Sequence, residues 1–220
     1  MQLQMKFIGV VAVGLALFAT FKIAVADENN RPISGEKSIL AMYVQSYGLA
    51  ANGLAPHRLI FAAWDDGYVV WSENSVEGGI PYRAGRIDPA KLHAFLKKTH
   101  SDGLHQDASL AQPQFGPSSR TTVLLAKFEG NALKMQSWHE LFELDGKVVA
   151  TKGGVAPLDG RSRFDVLRQE PTDYLFYRFV WDELRLGAAF LTPSESKPVD
   201  GKLELRRGNA YWMQSTVVSE

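Results

Sequence analysis

Two apolar, strand-forming runs, Arg58–Trp64 and Tyr68–Ser72, are separated by only Asp65-Asp66-Gly67. So short a connection makes the runs antiparallel, and glycine, lacking Cβ, accepts the positive φ that a tight hairpin demands. The pattern recurs twice. Thr121–Phe128 and Ala132–Trp138 flank Glu129-Gly130-Asn131, and Lys202–Arg206 and Ala210–Thr216 flank Arg207-Gly208-Asn209. In the second hairpin Leu133 and Met135 alternate with Lys134 and Gln136. In the third, Leu203 and Leu205 alternate with Lys202, Glu204 and Arg206. That period of two marks strands with one buried face. Ser38–Tyr47 reads as a further strand and Lys147–Thr151 as a short one, whereas Glu73–Arg86 and residues 101–119 read as irregular.

Helices fall between the hairpins. Asp88 is placed to cap a helix with Pro89 in its first position, where a missing N–H costs nothing. Leu92, Phe95 and Leu96 recur at helical spacing to about Thr99 or His100. Ser162 and Asp165 form a capping pair for a short helix that must stop near Glu170, because Pro171 disfavours helical geometry before it. A longer helix is predicted from Thr172 to Leu191, ended by Pro193. Hairpins with interposed helices predict an α+β fold: an antiparallel sheet with two or three helices packed mainly on one face.

The first 26 residues have a different character. Met1–Lys6 carries one positive charge, Phe7–Phe21 is an apolar run of 15 residues, and Ala24-Val25-Ala26 precedes the polar Asp27-Glu28-Asn29-Asn30. This is the order of a secretory signal, with cleavage read from Ala24, Ala26 and Asp27. A spanning helix needs about 20 apolar residues. Lys22 interrupts the run, although it could snorkel and leave residues 7–26 as a retained anchor. The expected organisation is therefore a signal peptide over 1–26, a linker over 27–37 and a single globular domain over 38–220. The expected location is exported, periplasmic or extracellular in a bacterium, with inner-membrane anchoring as the alternative.

Export and the absence of cysteine together exclude several chemistries. With no cysteine the chain has no disulfide, thiolate zinc site, thiol nucleophile or N-terminal lipid attachment. Removing Lys6 and Lys22 with the leader leaves 22 basic against 24 acidic residues. That balance argues against nucleic acid as a partner, and against a membrane partner unless the N-terminal segment is retained.

No catalytic motif stands out. His93 and His100, followed by Asp102, His105 and Asp107, offer imidazole and carboxylate, but in no compact metal-binding spacing, so no metal and no cofactor are expected. Gly116-Pro117-Ser118-Ser119-Arg120 lacks the frame of a nucleophilic serine, and Thr151-Lys152-Gly153-Gly154 lacks that of a phosphate loop. Asp65-Asp66 is explained by its hairpin, and Asp182-Glu183 are helical neighbours about 100° apart. Trp64 and Trp71 flank the first hairpin turn, where core packing is the expected role and a carbohydrate platform the rival.

The 172–191 helix is the least ordinary element. Tyr177, Val180, Trp181, Leu184, Ala188 and Leu191 make one apolar stripe, and Leu175, Phe179, Leu186 and Phe190 make a second, nearly opposite. Arg178, Asp182 and Arg185 lie on the strip between. One stripe suffices to dock on a sheet. The second is expected to be covered internally, by the 162–170 helix or the N-terminal region, with an unknown protein or envelope component as the alternative.

Over Arg58–His105 the order is strand, Asp-Gly turn, strand, glycine-rich loop, then a helix opened by Ile87-Asp88-Pro89-Ala90-Lys91-Leu92. This plan is similar to that of exported bacterial domains of unknown function, planctomycete-type secreted proteins among them. The resemblance implies an extracytoplasmic α+β domain and brings no catalytic residues. The function expected is thus a non-enzymatic extracytoplasmic binding or interaction domain. The alternatives are a periplasmic hydrolase with a loop-built site and a membrane-tethered envelope component.

Overall fold

The structure is a computed structural model, described here over residues 36–46, 57–101, 109–111 and 120–215. Strand β1 (Leu40–Ser46) is followed by β2 (Arg58–Ala63), β3 (Tyr68–Ser72) and β4 (Tyr82–Arg86), then helix α1 (Pro89–Ser101) and strand β5 (Ser109–Ala111). Next come β6 (Arg120–Phe128), β7 (Asn131–Ser137), the one-turn helix α2 (His139–Phe142), and a small hairpin of β8 (Val148–Thr151) and β9 (Gly154–Pro157). Helices α3 (Arg163–Leu167) and α4 (Thr172–Ala189) precede β10 (Lys197–Val199), β11 (Gly201–Arg206) and β12 (Asn209–Gln214).

Eight strands form the main sheet in the order β10-β4-β3-β2-β1-β6-β7-β5. Every pairing in it is antiparallel except β5 with β7. The α+β class read from the hairpins is the class observed. Strand alternation sends Leu40, Met42 and Val44 to one face of the sheet and Ala41 and Tyr43 to the other. The first face is covered by α1 and α4 through Leu92, Leu96, Tyr177, Val180, Trp181 and Leu184. The second is covered by the β11–β12 hairpin, whose Leu203, Ala210 and Trp212 pack on Tyr43, Trp64 and Tyr82. The rings of Tyr82 and Trp212 meet edge to face, centroids 4.9 Å apart. Ile60 and Phe61 both face the helices because the register shifts opposite Met42 and Tyr43, leaving Ile60 as the extra residue of a bulge.

The three predicted hairpins and the capped helices are present. Asp88 Oδ1 accepts from the Ala90 N–H at 2.9 Å and Ser162 Oγ from the Asp165 N–H at 3.1 Å. Gly67 adopts φ +80°, and a Cβ there would lie 2.2 Å from the Ile87 carbonyl oxygen.

The stretch Glu73–Arg86 is not irregular throughout, since its last five residues form β4. Its Arg and Gly content hides a strand whose partners are β3 and the distant β10. Gly85 fits there because a Cβ would meet the Glu195 carbonyl oxygen at 2.6 Å. Within 101–119, Ser109–Ala111 pairs with β7, and the rest of that loop after Ser101 lies outside the described residues.

Candidate functional site

Helix α4 is buried on one side and bare on the other. At 100° per residue Tyr174, Tyr177, Val180, Trp181, Leu184 and Ala188 share the sheet-facing side, and all are buried. On the opposite side Phe176, Phe179, Leu186 and Phe190 are exposed to 42%, 53%, 61% and 76%. The internal cover expected from the 162–170 helix is not there, because these four side chains stay exposed with that helix in place. The other expected cover, the N-terminal region, lies outside the described residues. From Phe176 to Phe190 the bare side runs about 21 Å along the helix at 1.5 Å per residue.

A cleft of about 590 Å³ adjoins this face, lined among others by His139, Glu140, Leu144, Asp182, Arg185 and Leu186. Its floor is an ionic cluster tying the α2 segment to α4. Arg178 and Glu143 are 4% and 7% exposed, and the guanidinium grips the carboxylate with two bonds, Nη1 to Oε1 at 2.9 Å and Nη2 to Oε2 at 3.1 Å. Glu143 also accepts from the Ala150 N–H at 2.7 Å and from Arg163 Nη2 at 2.6 Å. Beside it Arg185 Nε bonds Glu140 Oε1, which also accepts from Trp181 Nε1 at 3.3 Å. Arg185 Nη2 donates to the Ser75 carbonyl at 2.5 Å.

His139 is buried in the same cluster. Its Nδ1 bonds Ser137 Oγ, and its ring meets Trp181 edge on at 5.4 Å. Burial holds its pKa well below the ordinary histidine value, and the cations Arg178, Arg163 and Arg185 lower it further. The imidazole is therefore neutral at pH 7. Ser137 is equally buried, so the serine–histidine contact sits at the base of the cleft that His139 lines. Tyr177 donates its hydroxyl to the Gln136 carbonyl, and burial raises its pKa. Glu143 is saturated by three donors, whereas Glu140 Oε2 and Arg178 Nε are buried without a hydrogen-bond partner.

The other sequence candidates are dispersed. His93 is exposed and its Nε2 lies 2.9 Å from Asp65 Oδ1, beside a separate cleft of about 770 Å³ that Lys127 and Asn209 also line. The side chains of His100, Asp102, His105 and Asp107, and the loop 116–119, lie outside the described residues. So do Ala24, Ala26 and Asp27. Among the described residues no three His, Asp or Glu side chains converge as metal ligands do. Asp66 is spent on its turn, accepting from the Tyr68 N–H at 3.1 Å and pairing with Arg86 at 3.1 Å. Glu183 pairs with Lys98 of α1 at 3.1 Å. Trp64 is buried on the hairpin side of the sheet while Trp71 packs on the helix side, so the two form no common platform.

Glu140, Glu143 and Arg163 escaped the sequence reading. The one signal for them was Arg178, a cation on the margin of an apolar stripe between Tyr174 and Trp181, which a buried acid had to balance. Comparison with protein-family models, with characterised proteins and with solved structures returned no match. No helix among the described residues is long and apolar enough to cross a membrane.

Proposed function

We propose that this chain is an exported, non-enzymatic interaction domain that docks a protein partner on the outer face of α4. The observation that supports this reading most is the exposure of Phe176, Phe179, Leu186 and Phe190 along a single helix face. Isolated exposed apolar residues are ordinary, but four on one helix face mark a contact surface. The sheet and hairpin behind α4 supply a rigid backing. The buried Glu143–Arg178 pair holds α4 to the α2 segment, and the cleft beside Leu186 gives the surface relief. Export is supported by the signal-like order of residues 1–26, and the resemblance in plan to planctomycete-type secreted proteins points the same way.

Photo-crosslinking in the producing cell tests the docking reading. A benzophenone side chain replacing Phe190 or Leu186 is expected to yield a discrete adduct. The same probe replacing Lys202, exposed on the hairpin side of the sheet, is expected to yield none. Adducts at neither helix position would overturn the reading. Intact-mass measurement of the exported chain tests the leader: a mature form beginning at Asp27 is expected, and a species beginning at Met1 would replace the secreted reading with a tethered one.

A further inference from the structure

Apart from the α4 face, we infer that the cleft of about 770 Å³ at the end of the main sheet binds a small hydroxylated organic anion, with Lys127 holding its carboxylate or phosphate group. The cleft opens where β6 turns into β7. Helix α1 lines it from one layer and Asn209 of the β11–β12 turn from the other. Its volume is that of a small-molecule site and far exceeds a bare ion.

Lys127 is a fixed cation without a counter-charge. Its ammonium donates to Asn209 Oδ1. That amide is itself held, because its Nδ2 donates to the Arg206 and Arg207 carbonyls at 3.3 and 3.1 Å, which turns Oδ1 toward the lysine. An ammonium has three donors, and the amide takes one. Arg58, Arg83, Arg86 and Arg185 are partly buried too, and each pairs with a carboxylate. Lys127 pairs with none among the described residues; its partner is the neutral amide. Burial lowers its pKa, and the cation Lys37 lowers it further. The ammonium therefore sits at positive potential with donors to spare, which is what an anion needs.

The rest of the lining suits a hydroxylated body on that anion. Lys97 of α1, exposed and without an ion pair among the described residues, adds a second cation. Ile39 and Phe128 give an apolar wall, and Asn131 and Glu129 stand at the turn as polar groups within the same cleft. Asp65 also lines it, but is engaged by His93 at 2.9 Å, and neither Asp65 nor Glu129 pairs with Lys127.

The test is thermal unfolding of the purified chain at fixed ionic strength, alone and with about 20 mM glucuronate, glucose 6-phosphate or neutral glucose. At least one anion is expected to bind with a dissociation constant of about 1 mM and to raise the melting temperature by about 5 °C. The two anions distinguish a carboxylate site from a phosphate site, and glucose should raise the midpoint by less than about 1 °C. Lys127→Gln removes the charge and keeps a donor for Asn209. Without ligand it should melt within about 2 °C of the natural chain, since no ion pair is lost. Its anion affinity should fall at least tenfold, leaving a rise of about 2 °C or less. Lys97→Gln, at an exposed position, should weaken the same anion severalfold and decides the matter if Lys127→Gln does not fold. The proposal is overturned by no rise with either anion, or by an equal rise with glucose. An anion effect undiminished in Lys127→Gln also overturns it, because a general salt effect acts on both chains alike.

Discussion

Replacing Glu143 with glutamine removes the charge that holds Arg178 inside the fold. Both side chains are under a tenth exposed, so water cannot screen the guanidinium once its partner is neutral. Breaking such a buried pair from one side costs about 3–5 kcal/mol, because the remaining charge stays desolvated. Removing Arg178 instead, as Arg178→Met, should cost only about 1–2 kcal/mol, since Glu143 keeps the Arg163 guanidinium at 2.6 Å and the Ala150 N–H at 2.7 Å. The prediction is therefore an asymmetry between two halves of one salt bridge. Urea unfolding followed by tryptophan fluorescence reads it, because the chain has five tryptophans and Trp181 packs beside the cluster. With a slope of about 2 kcal/mol/M, Glu143→Gln should move the midpoint down by about 2 M, and Arg178→Met by less than half as much. Slopes should be unchanged. The double variant Glu143→Leu/Arg178→Met should recover most of the loss, because no charge remains buried. A cost below about 1 kcal/mol for Glu143→Gln, or a larger cost for Arg178→Met, would refute the reasoning.

Three further outcomes follow from the same geometry. His139 has a folded-state pKa well below its unfolded value of 6.5, so below that pH the unfolded chain binds the extra proton. Stability should be fully present above pH 6.5 and fall with acidification at up to about 1.4 kcal/mol per pH unit, and His139→Gln should flatten that slope in equilibrium melts between pH 7 and 5. Gly67 and Gly130 share φ +80°, but a Cβ at Gly130 meets nothing whereas one at Gly67 meets the Ile87 carbonyl oxygen at 2.2 Å. Gly130→Ala should cost about 1–2 kcal/mol, the backbone term alone, and Gly67→Ala clearly more in denaturant unfolding; equal costs would mean the close approach is absent. Trp212→Ala should cost about 3–5 kcal/mol, because the ring is fully buried beneath the β11–β12 hairpin, and a loss under 1 kcal/mol would show that the hairpin does not form the second layer.

Much of the fold is local in origin, and local features are legible in a linear chain. The Asp-Gly and Glu-Gly turns, the alternation of Leu133 and Met135 with Lys134 and Gln136, the Asp88-Pro89 start and the Ser162 cap each act within a few residues, so pattern alone locates three hairpins and three helices. The two apolar stripes of α4 were legible for the same reason, since helical spacing fixes which residues share a side. What the sequence could not decide is which stripe faces the sheet and whether anything covers the other, because cover is a matter of elements far away in the chain. Strand β4 was hidden for a related reason: Arg83 and Gly85 are poor strand formers, held in place by β3 and by β10 more than a hundred residues later. The ionic cluster is the clearest case. Glu143 and Arg178 lie 35 residues apart, and nothing local in the chain names Glu143 as the acid that Arg178 needs. Only the packing of α2 against α4 removes water from both and turns two ordinary charged residues into a buried pair.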